Sequence, residues 1–411
     1  MVTKYDVFEI VYGHRSPIKP IEAVKQFGKN KSYYNLVHRF LTQLVNEKLL
    51  VKVETGFQGE ISPKATQLFR IISFCLHNNL NYNLLLDKRL VRFLNLALSK
   101  GEIGLKTSRL NSRTLNKYID FLSRYGLILV LSNKPLRIKV FYNALVKNLL
   151  TYFNLKPQIK EVKINYLKQI AAELKAFRRF KSGNEAGYKK IFDEQEIHFV
   201  HHSLSLEGNP ITLSDTFKIL KDNVIPMNSK VEHVDEVKNY QKAILQMIED
   251  SLAKEPLTLQ NVLSYHQTAL AHHPDLAGKI RDYSVHIQGN PNFKIAKVED
   301  IKSKLNSLFK EYQKFISQKN DLSRIIQFAA YFHNQFQHIH PFGDGNSRTT
   351  RLLMFHILQF EGIPFLDIPF GLLDEYMIDT KKYLKRDDQQ FYLHLQKIIL
   401  FNLKQINTKL H

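Results

Sequence analysis

The chain has 411 residues, a single cysteine (Cys75) and a formal net charge of +21, with 44% hydrophobic and 11% aromatic residues. This composition excludes an intrinsically disordered chain and an intrachain disulfide, and no run reaches the ~18 consecutive apolar residues of a membrane-spanning helix. The length suits roughly two to four domains. The lone cysteine, and a start without an apolar signal segment, predict a protein of the reducing cytoplasm that engages no membrane.

The charge is unevenly spread. Residues 1–160 hold 26 Lys and Arg against 9 Asp and Glu, a net +17, whereas the rest of the chain holds 33 against 29. The near-balanced second part argues against a general compositional bias toward lysine. The first 160 residues are specifically basic, which favours a polyanionic partner such as double-stranded DNA.

Taken in order, the first segment predicts a short helix over Ile21 to Phe27, a turn at Gly28-Lys29-Asn30, and a longer helix over Lys31 to Glu47. The inward face of that helix is Tyr33, Leu36, Val37, Phe40, Leu41 and Leu44. A strand at Leu50 to Val53, a turn at Thr55-Gly56 and a second strand at Gln58 to Ser62 follow. Helix-turn-helix followed by a hairpin resembles a winged helix.

The pattern returns downstream. Helices are predicted at Leu90 to Leu98 and Arg113 to Tyr125, then strands at Leu127 to Leu131 and Leu136 to Tyr142 around Asn133-Lys134-Pro135. Residues 156–190 read as a Lys-rich connecting helix. Beyond 190 the chain reads as nearly all helix, apart from a strand-like stretch from Val285 to Phe293. The expected domains are 1–80 and 81–155 as tandem winged helices, 156–189 as a linker helix, and 190–411 as the C-terminal domain.

The most informative string is His340-Pro341-Phe342-Gly343-Asp344-Gly345-Asn346-Ser347-Arg348-Thr349-Thr350-Arg351. Apolar helical periodicity precedes it, through Ile325, Ile326, Ala329, Phe332 and Phe336, and also follows it. A polar loop between two core helices is a rigid mount for chemistry. Gly345-Asn346-Ser347 opens the second helix, where unpaired N–H groups and the positive dipole end attract phosphate. Arg348 and Arg351, three apart, share a face and can reach one polyphosphate. Asp344 offers Mg²⁺ a hard oxygen, and His340 is a general base near neutral pH.

This string resembles the Fic-family motif His-x-Phe-x-(Asp/Glu)-Gly-Asn-Gly-Arg-x-x-Arg. It matches at His340, Phe342, Asp344, Gly345, Asn346, Arg348 and Arg351 and departs at Ser347, where the family usually has Gly. The resemblance spans roughly residues 190–400. It implies a mainly α fold, with an all-helical core and a β-hairpin flap behind the tandem winged-helix (α+β) domains. It also implies a protein adenylyltransferase that moves AMP from ATP, with Mg²⁺, to a Ser, Thr or Tyr hydroxyl of a target protein. His340 would take the hydroxyl proton, Asp344 would hold the metal, and Gly345, Asn346, Ser347, Arg348 and Arg351 would hold the nucleotide.

Upstream, Ser203-Leu204-Ser205-Leu206-Glu207-Gly208-Asn209-Pro210 is similar to the family's inhibitory motif, (Ser/Thr)-x-x-x-Glu-(Gly/Asn). Ser203 and Glu207 would share a helical face in a helix ending at Gly208 or Pro210. A carboxylate at a helix C-terminus opposes the dipole, so Glu207 needs a partner, and the resemblance supplies Arg351. The stretch from Arg281 to Val298 resembles the family's flap. That implies nucleotide contacts from Ile287, Gln288, Gly289 and Asn290, and Tyr383 near the adenine. Fic proteins often self-associate, which implies a homodimer as one assembly.

In the basic half the candidate DNA readers are Lys31, Asn35 and Arg39 on one helix and Arg113, Asn116 and Lys117 on another. Two other readings stay open at this point. One is a DNA-binding regulator whose Fic domain senses nucleotide and catalyses little. The other is net removal of AMP, with Glu207 orienting water.

Overall fold

The structure, a computed structural model, describes residues 2–160, 164–227, 229–287, 290, 293–382 and 386–411. The chain divides into two compact units. One is Met1–Tyr118 with Ala144–Lys160, and the other is Ile119–Asn143 with Glu161–His411.

The N-terminal unit begins with α1 (Lys4–Gly13), held by a capping box between Thr3 and Asp6, and α2 (Pro20–Gln26), with proline at its first position. The third helix, α3 (Tyr34–Asn46), buries Val37, Leu41 and Leu44. A hairpin follows, β1 (Leu50–Val53) and β2 (Gly56–Gly59), in antiparallel register from Leu50↔Gly59 to Val53↔Gly56, and Ile18 bridges Phe57 on its far side. The second strand runs over Gly56–Gly59 and not Gln58 to Ser62, because Ser62 is spent as the cap of α4 (Pro63–His77), accepting from the Ala65 N–H at 3.2 Å. That helix is an element the sequence reading leaves unassigned. The unit continues with α5 (Lys88–Lys100), closed by Gly101 at φ 76°, then the first part of α6 (Ser112–Arg124), and α7 (Ala144–Tyr152).

The C-terminal unit takes in the rest of α6 and a second antiparallel hairpin, β3 (Ile128–Asn133) and β4 (Leu136–Val140). A two-stranded hairpin cannot bury its own apolar face. Here Leu129 and Phe141 join the core formed by the helices beyond residue 164. The close fit needs Gly126, at φ 66°, where a Cβ would meet Pro369 Cβ at 2.8 Å.

Among the described residues eight long helices follow: α8 (Leu167–Gly183), α9 (Glu185–Ser205), α10 (Val231–Leu252), α11 (Leu259–Ala269), α12 (Val298–Ile316), α13 (Leu322–Ile339), α14 (Asn346–Phe360) and α15 (Asp388–Leu410). The fold is mainly α, as expected, and no helix among the described residues is long and apolar enough to cross a membrane. Residues 156–160, expected to be helical, are not; helix resumes only at Leu167.

The centre of the unit is α14, packed against α10, α11 and α13, with every residue from Asn346 to Gln359 buried. Leu352, Leu353, Met354, Phe355, Ile357 and Leu358 each contribute roughly 1.5–3 kcal/mol through burial.

Candidate active site

The helix α13 starts at Asp321, whose carboxylate accepts the Arg324 N–H at 2.8 Å, and stops where His340 turns left-handed at φ 50°, ψ 60° and Pro341 follows. The helix α14 starts after Gly345, left-handed at φ 74°. Glycine is required there twice over: by the backbone, and by a Cβ that would lie 2.5 Å from Leu270 Cδ1. The loop from 340 to 345 is therefore pinned at both ends by helix terminations.

Its middle is clamped as well. Phe342 is buried and stacks on His266 of α11 at 3.7 Å between ring centroids. The His266 Nε2–H donates to the Asp344 carbonyl at 2.9 Å, while its Nδ1 accepts the Gly278 N–H at 2.9 Å. Burial pushes the His266 pKa down to about 4, so the ring is neutral and this single tautomer serves both bonds. Asn346 closes the loop from within, with Oδ1 accepting the Phe342 N–H at 2.9 Å and Nδ2 donating to the Phe342 carbonyl at 2.8 Å. Both ends of the Asn346 amide thus shape the loop, and what it presents outward is its place in the first turn of α14.

Arg281 ties the loop to the segment beside it. It is buried, and its guanidinium donates to the carbonyls of His340 at 2.7 Å, Tyr283 at 2.9 Å and Ala296 at 2.7 Å. Its backbone N–H reaches the Pro341 carbonyl at 2.9 Å, beside an antiparallel bridge between Ile280 and Phe342. The strand-like expectation from Val285 to Phe293 is corrected: the described residues there form no strand. The N–H groups of Asn290 and Phe293 are spent on the carbonyls of Ile287 and Asn290, at 3.0 and 3.1 Å.

A cavity of about 670 Å³ opens over the loop. Its lining includes His340, Asp344, Gly345, Asn346, Ser347 and Arg348 from the motif, Glu207 from the upstream segment, and Ile287 and Asn290 from the segment after Arg281. Gln288, Gly289 and Tyr383 lie outside the described residues. The His340 Nδ1 is 3.2 Å from the Gln337 carbonyl, which can only accept, so Nδ1 carries the proton and Nε2 is the basic nitrogen. Asp344 is half-exposed, with one carboxylate oxygen on the Gly345 N–H and the other on Arg348 at 2.7 Å.

The two arginines are held by different carboxylates. Arg348 is buried between Asp344 and Glu236 of α10. Arg351 is fully buried. Its Nε donates to Ser203 Oγ at 2.6 Å, and its Nη2 to the Ser203 carbonyl at 3.1 Å and to Glu207 at 2.8 Å. Burial alone lowers the Arg351 pKa, but Glu207, with Tyr376 and Tyr240 nearby, outweighs it and the pKa stands above its ordinary value. The helix bearing Ser203 ends at Ser205, earlier than the expected Gly208 or Pro210. Leu206 is its cap, and Glu207 sits in the turn that follows, closed by the Asn209 N–H on the Leu204 carbonyl at 3.1 Å. Leu206 keeps helical dihedrals, and Ser203 and Glu207 converge on the same Arg351 guanidinium.

Among the described residues at the site, His266 and Glu236 carry no motif signal, while Arg281 and Asn209 lie in the stretches already singled out but without the roles the structure gives them. In the basic unit, Lys31, Asn35, Arg39, Arg113, Asn116 and Lys117 are all exposed.

Residues 256–358 match the Fic/DOC family. Over 189 residues the chain is 33% identical to a protein adenylyltransferase Fic of Nematostella vectensis, covering 44% of this chain and 42% of that protein. Over 180 residues it is 29% identical to a protein adenylyltransferase Fic of Drosophila persimilis, covering 43% and 34%. The chain spans less than half the length of these curated relatives. In fold it is similar to a Fic domain containing signaling protein from Bacteroides thetaiotaomicron VPI-5482, with a TM-score of 0.52 at 22% identity over 60% of this chain and 97% of that one. A His340-to-Arg351 loop built between two core helices, in a segment that matches the family, makes the domain over residues 256–358 a member of the Fic/DOC family.

Proposed function

We propose that this chain is a protein adenylyltransferase that transfers AMP from ATP to a hydroxyl of a target protein and is held back by Glu207. The observation that carries the reading is the convergence of the His340 ring and the N-terminal end of α14 on one cavity. His340 Nε2 takes the proton of the target hydroxyl. The hydroxyl oxygen forms a bond to the α-phosphorus, the bond from that phosphorus to the bridging oxygen breaks, and pyrophosphate leaves. The N–H groups at the start of α14 hold phosphate oxygens, and Arg348 and Arg351 take the rest of the polyphosphate. Asp344, half-exposed at the cavity, is the hard oxygen ligand that fits Mg²⁺, which supplies charge neutralisation on the phosphates when bound. The relatives named protein adenylyltransferase support the reaction class.

The test is incubation of the intact chain with labelled ATP and Mg²⁺, comparing wild type, Glu207→Gly and His340→Ala. Transfer should rise in the first variant and vanish in the second. Equal labelling by all three would remove both assignments, and release of AMP from a labelled target by wild type alone would favour the AMP-removal reading.

A separate observation favours DNA binding by the N-terminal unit. Helices, a hairpin and the Ile18 bridge resemble the elements of a winged helix; Lys31 just ahead of α3, Asn35 and Arg39 on α3, and Arg113, Asn116 and Lys117 on α6 are exposed within a segment of net +17.

A further inference from the structure

The turn that follows α9 reaches both motif arginines. Glu207 holds Arg351 directly at 2.8 Å. Two residues on, Asn209 is buried and fully engaged. Its Oδ1 accepts the Ile211 N–H at 2.9 Å, and its Nδ2 donates to the His233 carbonyl at 3.2 Å and to Glu236 Oε2 at 2.7 Å. The other oxygen of the same carboxylate, Glu236 Oε1, receives Arg348 Nη1. Glu236 therefore bridges the turn to the first arginine of the motif.

Arg348 is 4% exposed and has two carboxylates on one guanidinium, Glu236 and Asp344, yet its Nε–H has no hydrogen-bond partner among the described residues. A buried donor left unpaired costs about 1–3 kcal/mol, so the guanidinium is held in place by its two carboxylates. The same side chain lines the cavity, where a phosphate oxygen is an acceptor whose charge suits it. A metal ion drawn to Asp344 would compete with Arg348 for that carboxylate, whereas Glu236 lies on α10 and does not belong to the loop. Glu236 is thus the contact able to keep the guanidinium oriented while a nucleotide is present.

We propose that Glu236 is a positioning residue for the nucleotide: it fixes the Arg348 guanidinium where that side chain borders the phosphate-binding cavity, and Asn209 couples that orientation to the inhibitory turn. The proposal rests on the reading of the cavity as a nucleotide site.

The experiment measures the affinity of the intact chain for Mg²⁺ and a non-hydrolysable ATP analogue by calorimetry. The background is Glu207→Ala, which frees Arg351 without adding a glycine to the turn. Truncating one partner of a buried, hydrogen-bonded charge pair has a large effect, so Glu236→Ala should weaken binding about 10- to 100-fold. Glu236→Gln still accepts from Arg348 and should recover most of the loss. Because Glu236 acts through Arg348, adding Glu236→Ala to Arg348→Ala should change affinity by less than about twofold. Asn209→Ala should weaken binding by about threefold, consistent with the loss of one neutral hydrogen bond.

Additive effects of Glu236→Ala and Arg348→Ala, or unchanged or tighter binding in Glu236→Ala, overturn the proposal. If Glu236→Ala does not fold, Asn209→Ala carries the test, and wild-type affinity in that variant overturns the proposal. A parent chain that binds the analogue but transfers no AMP would sink the transferase reading and leave this proposal standing. Normal transfer with indifferent Glu236 variants would do the reverse.

Discussion

Replacing Glu207 by glycine removes the carboxylate 2.8 Å from a fully buried guanidinium. What remains on Arg351 is Ser203, through its hydroxyl at 2.6 Å and its carbonyl at 3.1 Å, with the Tyr240 and Tyr376 side chains beside it, and these are neutral groups. Breaking a wholly buried pair costs about 3–5 kcal/mol; with the Glu207 side chain 22% exposed, a loss of about 2–3 kcal/mol is reasonable. For a unit of this size, at roughly 2 °C per kcal/mol, melting should fall by about 4–6 °C.

A nucleotide phosphate would restore the missing charge. At 100 times its Kd, a non-hydrolysable ATP analogue with Mg²⁺ adds about 2.7 kcal/mol and should return most of the lost melting temperature. Wild type, with Arg351 occupied, should shift less at the same concentration. If the pair withholds about 2 kcal/mol of nucleotide binding, its removal raises AMP transfer at subsaturating ATP by about 30-fold. Thermal melts with and without the analogue, and labelled transfer alongside, read all three effects. Identical melting and identical nucleotide shifts in Glu207→Gly and wild type would refute the reasoning, since the ion pair would then be neither structural nor competitive.

His340→Ala should abolish transfer while analogue affinity stays within about threefold, because the base acts on the target hydroxyl; calorimetry beside the labelling assay checks this, and undiminished transfer removes His340 from the mechanism. Burial holds His198 and His356 near pKa 4, against an ordinary 6.5. Their folded values lie below the unfolded one, so the unfolded chain binds protons first: stability is full above about pH 6.5 and falls as pH drops toward 4, by up to about 1.4 kcal/mol per pH unit for each ring. His356→Gln should flatten that slope in urea melts at pH 7.5, 6 and 5, and an unchanged slope counts against it. For the basic unit, intact chain should shift duplex DNA with a log–log salt slope of roughly −0.9 per phosphate neutralised. Arg39→Glu and Lys117→Glu should each reduce the slope by about 1 and leave AMP transfer unchanged; no shift at micromolar protein would assign the unit to another partner.

The catalytic loop was legible because its residues are contiguous and few types fit each position. Helix terminations at His340 and Gly345 set the loop, and motif residues at and between them, His340, Gly343, Asp344 and Gly345, line the cavity while Phe342 is buried. The strand at Leu50–Val53 was equally plain, with two valines alternating with Lys52 between a helix and a Thr-Gly turn. What the sequence hid came from afar. Glu236 lies 112 residues before Arg348, and Asn209 27 residues before Glu236, with no periodicity linking them. His266 lies beside Tyr265 on an otherwise apolar helical face and reads as core until Phe342 is seen stacked upon it. The second hairpin carried a legible strand pattern, but its membership of the C-terminal unit depends on Leu129 and Phe141 finding apolar partners far downstream.

The burial of α14 on every side has a consequence for how such a site is switched. Both arginines are rooted in a helix with no exposed face along which it could roll or slide, so neither can swing far to greet or refuse a nucleotide. Hydrogen exchange should find the α14 amides among the slowest in the chain. On the proposed reading, a ligand, target or partner that relieves Glu207 has to act on what surrounds that helix, above all the four residues from Leu206 to Asn209. Such an effector should register there as faster amide exchange while the arginine-bearing helix stays silent. Activation on that reading is the departure of a restraint from a preset anion site, and a search for regulators is best directed at surfaces that touch the turn.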